Sequence, residues 1–182
     1  YLSLGGYVDL NEQYIKKYFK TFGSLDHQNK GLTSKLVSEL NIDNSVKAVF
    51  LNNNNILTTN RLYLPEKLSI LSLDGNPISG GIFLNEYTHL KLLSLRGCGL
   101  VTINCDYLPS SLVVLDLSNN ISLTEIHNKG KMTFLHHLNI KNTAIKNLDC
   151  LKFKRLGEHK LTIHCDRNLK ISNHQEWIVF KY

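Results

Sequence analysis

Leu112-Val113-Val114-Leu115-Asp116-Leu117-Ser118-Asn119-Asn120 decides the architecture of this 182-residue chain. Its residues keep the spacing L-x-x-L-x-L-x-x-N, and that spacing recurs on both sides every 22 or 23 residues. The copies before it are Val46/Val49/Leu51/Asn54, Leu68/Leu71/Leu73/Asn76 and Leu90/Leu93/Leu95/Cys98. Those after it are Leu135/Leu138/Ile140/Thr143 and a degenerate last copy, Glu158/Leu161/Ile163/Asp166. A fixed period of this length means that one small structural unit is repeated along the chain.

The pattern resembles the leucine-rich repeat, closest to its short intracellular class, over residues 46–168. The resemblance implies an α/β fold: a right-handed leucine-rich-repeat solenoid whose repeats each add one short strand to a parallel concave sheet. Residues at the fourth and sixth places then point into the core, and those at the third, fifth and seventh point out. One repeat cannot bury its own apolar face, so stacking makes a continuous core whose stability sums repeat and neighbour terms.

The ninth place carries Asn54, Asn76 and Asn120. A carboxamide both donates and accepts, so these side chains are expected to form a structural ladder that satisfies backbone groups where the chain leaves the sheet. Cys98, Thr143 and Asp166 take the same place in the other copies. The eighth place reads Asn53, Gly75, Gly97, Asn119, Asn142 and Cys165, mostly residues that tolerate positive φ, which predicts a tight turn after each strand.

Residues 1–45 do not follow the repeat and are read as a helical N-terminal cap. Asp9-Leu10-Asn11-Glu12 has capping-box spacing, and Leu10, Tyr14, Ile15, Tyr18, Phe19 and Phe22 share one helical face. A second helix is expected from Thr33 through Leu36, Val37 and Leu40, the pair covering the first sheet edge. Residues 169–182 are read as a short C-terminal cap, a helix starting at Asn173 that lays Trp177, Ile178 and Phe180 over the last strand. Asp26 and Gly31 fall at two places of a calcium loop, but Gln28, Lys30 and Val37 replace the oxygen ligands, so no calcium is expected.

The chain carries a net charge of +6, and its basic excess is C-terminal: residues 1–128 hold 10 Lys/Arg against 11 Asp/Glu, residues 129–182 hold 11 against 4. No apolar run of about 18 residues is present to cross a membrane. The chain starts at Tyr1 without a methionine, which points to one continuous domain of a longer protein. Cys98, Cys105, Cys150 and Cys165 lie within the repeats, whereas secreted proteins of the resembled family keep disulfide-bonded caps at their ends. Reduced thiols and an intracellular, cytoplasmic location follow as expectations, with the nucleus as the alternative.

Adjacent strands lie about 4.8 Å apart, so equal repeat positions line up as columns across the concave face. The third-position column is Ala48, Ile70, Leu92, Val114, His137 and Lys160. The fifth is Phe50, Ser72, Ser94, Asp116, Asn139 and Thr162, and the seventh Asn52, Asp74, Arg96, Ser118, Lys141 and His164. Ile70, Leu92 and Val114 with Phe50 form an apolar stripe that is either a partner surface or is covered by a flanking segment such as the N-terminal cap. Asp74 and Arg96 are expected to pair. His137, Lys141, Lys160 and His164 make a basic end suited to an acidic or phosphorylated segment, or simply a solvated face.

Ser94, Asp116 and His137 are the residue types of a hydrolase triad, but nothing supplies an oxyanion hole. Cys150, His159, His164 and Cys165 lack paired zinc-ligand spacing. No catalytic group, metal or cofactor is expected. The reading is a non-enzymatic scaffold or adaptor that holds a protein partner on the concave face. The alternatives are an RNA-binding adaptor using the basic half, and the substrate-recruiting arm of an enzyme such as a ubiquitin ligase.

Overall fold

Ala48, Ile70, Leu92 and Val114 pair in register, each 22 residues beyond the last, and so convert the sequence period into a parallel sheet. In the computed structural model, which describes residues 23–148, 152–170 and 175–182, ten short strands are present. They are β1 (Ser24–Asp26), β2 (Ala48–Phe50), β3 (Ile70–Ser72), β4 (Leu92–Ser94), β5 (Thr102–Asn104), β6 (Val114–Asp116), β7 (Glu125–His127), β8 (His137–Asn139), β9 (Leu161–His164) and β10 (Ile178–Lys181). The main sheet has the order β1-β2-β3-β4-β6-β8-β9-β10, while β5 and β7 form a separate parallel pair. The fold is a parallel β-solenoid of about six turns with little helix.

The core is the stacked inner row of the strands. Val49, Leu71, Leu93, Leu115, Leu138 and Ile163 are each no more than 1% exposed. Leu51, Leu73, Leu95, Leu117, Ile140 and Cys165 form a second buried row beside them. The strands are short because the chain then turns sharply: Asn53, Gly75, Gly97, Asn119 and Asn142 all have positive φ. At Gly75 a Cβ would collide with the carboxamide of Asn53 on the preceding turn.

The asparagines close these turns. Asn76 Nδ2 donates to Leu51 O at 2.9 Å and Leu73 O at 2.8 Å, and its Oδ1 accepts from Ile56 N at 3.1 Å. Asn120 donates to Leu95 O and Leu117 O and accepts from Cys98 N and Leu100 N. Asn54 serves its turn in the same way, donating to Leu51 O and His27 O and accepting from Lys30 N and Leu32 N. Cys98 and Thr143 retain one arm each, Sγ to Leu73 O and Oγ1 to Ile140 O.

The sheet extends beyond the expected repeats at both ends. Within the segment read as a helical cap, β1 pairs with β2 in parallel, 24 residues back. Its turn at Asn29 has a φ of 55° like the later ones. This turn escapes the pattern because His27 stands where the other copies carry an inner leucine, isoleucine or cysteine. Helix α1 (Ser34–Ser38) follows, with Thr33 as its N-cap and Val37 buried. The amphipathic stretch from Leu10 to Phe22 lies outside the described residues. At the other end, Ile178 and Phe180 belong to strand β10, which pairs with β9, instead of to a closing helix; Asn173 lies outside the described residues.

The last repeat is also corrected. Leu138 pairs with Ile163 and Asn139 with His164, so the register lies two residues beyond the one read from the sequence. Leu161 and Ile163 are both buried. A slip of one residue would turn every side chain over, but a slip of two preserves the inside-outside alternation and leaves no trace in the apolar pattern. Cys165 therefore lies in the inner row, and Asp166 is not a member of the ladder.

Candidate functional site

The outer face of the main sheet, opposite the core, carries the third and fifth positions. In the corrected register its third column is Ala48, Ile70, Leu92, Val114, His137 and Thr162, and its fifth is Phe50, Ser72, Ser94, Asp116, Asn139 and His164. Lys160 leaves the third column and stands exposed before β9. Lys181 of β10 pairs with His164 and joins the basic end in its place. The sequence carries a signal for this lysine, the alternation Ile178-Val179-Phe180-Lys181.

The apolar stripe is buried. Ala48, Phe50, Ile70, Leu92 and Val114 form a second apolar cluster, separate from the core, at 0%, 1%, 3%, 8% and 6% exposure, with half-buried Val113 packed against it. The polar positions beside it are buried and saturated. Ser72 Oγ donates to Asn52 Oδ1 at 2.6 Å and Ser94 Oγ to Asp74 Oδ1 at 2.6 Å. Asp116 accepts from Ser118 N, Ser118 Oγ and Asn139 Nδ2.

Asp74 also accepts from the backbone amide of Arg96 at 2.9 Å, so the expected side-chain ion pair is replaced by a backbone contact. Burial raises the Asp74 carboxyl above the ordinary aspartate value, partly offset by these two hydrogen bonds. With Ser94 committed to Asp74, and Asp116 to Ser118 and Asn139, Ser94, Asp116 and His137 do not form a proton relay. Of the cysteine-histidine set, Cys165 is buried in the inner row, His164 lies on the outer face, and Cys150 is outside the described residues. Among the described residues no group of His, Cys, Asp or Glu side chains is arranged to hold a metal ion. Cys98, Cys105 and Cys165 are buried free thiols, and burial pushes Cys98 and Cys105 up to about 12. Asn120, the acceptor of the formal glycosylation sequon Asn120-Ile121-Ser122, is fully buried in the ladder. No helix of the described residues is long and apolar enough to cross a membrane.

Past β6 the outer face is half-buried at His137, Asn139 and Thr162, His164 is 5% exposed, and the basic side chains Lys141 and Lys181 lie close to His164. His137 stacks on His164 with ring centroids 6.2 Å apart, and behind them His136 stacks on His159 at 4.2 Å. His164 is held down to about 4 by burial first, then by His137, Lys181 and Lys141. His137 is lowered by burial, His136 and Lys181, and His159 by burial and His136. These side chains bind protons more readily in the unfolded chain, so their contribution to stability is complete above 6.5 and falls as pH drops toward about 4. The melting temperature is expected to fall between pH 7 and pH 5, and to fall less in a His164→Gln variant. An equal fall in both chains, followed by circular dichroism, would show that His164 does not carry the effect.

A second feature has no counterpart in the repeat pattern. A groove of about 650 Å³ lies beside β5, lined by Ile78, Ile82, Phe83, Leu100, Val101 and Tyr107 among others. The Phe83 and Tyr107 rings meet edge to face across 5.2 Å. These residues sit between the copies of the motif, where position carries no inside-outside meaning. No protein-family model and no curated protein matches the chain.

Proposed function

We propose that the chain is a leucine-rich-repeat recognition domain without catalytic chemistry of its own, acting inside the cell as a scaffold or adaptor. It holds an acidic or phosphorylated protein segment at the basic end of its outer face. The observation that carries this reading is the convergence of Lys141 and Lys181 on the His137–His164 pair, beside an apolar stripe that is closed. Ammonium groups following β8 and on β10, with β9 between them, suit carboxylate or phosphate oxygens, and such charge sets association rate and orientation more than depth of binding. Thr162, half-buried on β9, adds a neutral hydroxyl, while the Asn139 carboxamide is held by Asp116 and by the amide of Lys141.

Binding of fluorescent acidic and phosphorylated peptides tests the site. Lys141→Glu with Lys181→Glu is expected to weaken the best peptide by at least about tenfold, while Lys160→Glu, outside the columns, changes affinity by less than about twofold. Equal losses in both variants would remove the site from the outer face. A single-stranded RNA bound more tightly than any peptide, with affinity falling steeply with salt, would favour the RNA-adaptor reading instead.

A further inference from the structure

We propose that the groove beside β5 is a binding site for an uncharged, largely apolar small molecule. The site lies off the main sheet and does not rest on what the outer face binds. Its cause is the parting of two stacked coils of the solenoid. After β3 the chain bends back onto the preceding coil: Ser79 N and Gly80 N both donate to Leu57 O, and Thr59 N donates to Gly81 O. The Thr58 hydroxyl donates to Gly80 O and Gly81 O at 3.2 Å. Gly80 permits this approach, because a Cβ there would stand 3.0 Å from the Thr58 Cβ and 3.2 Å from Leu57 O. After β4 the chain is drawn the opposite way, since β5 pairs with β7 of the next coil and Val101 O accepts from Thr124 N.

The two coils remain bonded on either side of this gap. Ile78 N donates to Cys98 O at 3.3 Å and Leu84 N to Tyr107 O at 2.8 Å, and among the described residues no backbone hydrogen bond joins residues 79–83 to 99–106 between them. The result is a slot of about 650 Å³, inside the range of about 300 to 1,000 Å³ usual for small-molecule pockets. Both ends are shut by those bonds, so an extended polypeptide cannot thread along it. A second copy of the chain is no better served. Leu57, Phe83, Val101 and Tyr107, between 39% and 57% exposed, offer together about 400 Å², about half of what each partner of a stable dimer buries.

The lining selects the chemistry of the occupant. Of the fifteen residues around the slot none carries a charge. The charges beside it are engaged elsewhere: Asp106 lies 3.5 Å from Lys131 Nζ and 3.9 Å from Lys129 Nζ, and Glu125, opposite Thr102 in the register, lies 3.3 Å from His127. An ionised ligand would lose its water against carbon and gain no countercharge. Ile78, Ile82, Leu100 and Ile103, all buried, form an aliphatic floor, and the Phe83 and Tyr107 rings stand exposed at the rim. β5 has β7 on one side in a two-stranded sheet, so its other edge presents backbone N–H and C=O groups to the slot it lines. A hydroxyl, carbonyl or amide of the ligand can bond there, and a few such polar groups in an apolar pocket fix a small molecule's orientation.

The test titrates the full chain with N-phenylnaphthylamine, an uncharged aryl probe whose fluorescence rises in apolar surroundings. Anilinonaphthalenesulfonate, the same rings carrying a negative charge, serves as the comparison. Saturable binding of the uncharged probe at one site per chain is expected. Val101→Trp fills the slot from its rim and is expected to weaken that binding at least about tenfold, whereas Ile121→Trp, 72% exposed and outside the lining, changes it by less than about twofold. Both positions are exposed, so neither change reaches the core. The sulfonate is expected to be insensitive to Val101→Trp, because any binding it shows lies elsewhere on this basic chain. The proposal is overturned if the uncharged probe shows no saturable binding or loses equally in the two variants. It is overturned as well by a sulfonate that loses as much as the uncharged probe on Val101→Trp.

Discussion

A chain carrying Leu92→Asp together with Val114→Asp is expected not to fold. Both residues stand on the outer face, where two charges would cost little if the stripe were the open partner surface that is one of the two readings of the sequence. In the structure they are 8% and 6% exposed, packed with Ile70, Phe50 and Val113. Each new carboxylate would lose its water and face apolar carbon, close to Asp116 and to Asp74, whose own carboxyl is already raised by burial. An unpaired buried charge costs several kcal/mol even after the group neutralises itself by taking up a proton. Two of them approach the roughly 5 to 15 kcal/mol that hold a whole domain together. Far-ultraviolet circular dichroism and gel filtration check the outcome, with Leu92→Ala as the milder control. A monomeric double variant that melts like the parent would show that the stripe is open to water.

Leu115→Ala is expected to remove about 2 to 5 kcal/mol, the loss of buried methyl groups together with the cavity they leave. Leu115 is 1% exposed and lies between Leu93 of β4 and Leu138 of β8 in the inner row. An interior turn shares an interface with a neighbour on each side, so one truncation loosens two contacts of the stack. Urea denaturation measures the loss. A change below about 1 kcal/mol would mean that the inner row is not the element that carries the core.

From Val46 to Thr143 the strand positions were readable because each copy combines three signals that agree: aliphatic residues at spacing two, Asn or Gly where φ turns positive, and a short hydrogen-bonding group at the ninth place. Where one signal is missing, reading fails in a definite way. The β1 turn keeps Leu25 and Asn29 but has His27 in the inner row, so its apolar pattern is too thin to recognise. In β9, Leu161, Ile163 and Cys165 offer two registers of equal quality. The choice between them depends on which backbone groups of β8 they meet, and that error put Lys160 into the site in place of Lys181.

The sequence by itself determined the repeat, its period, the inner rows and the asparagine ladder, because each of these follows from alternation and turn chemistry within one short segment. It also placed the basic excess at the C-terminal end. Only the tertiary structure decided which outer residues are buried. The same third-position column is buried at Ile70, Leu92 and Val114 and half-open at His137 and Thr162. Alternation says which side of a sheet a residue occupies, but burial on that side depends on chain distant in sequence, and no local pattern encodes it.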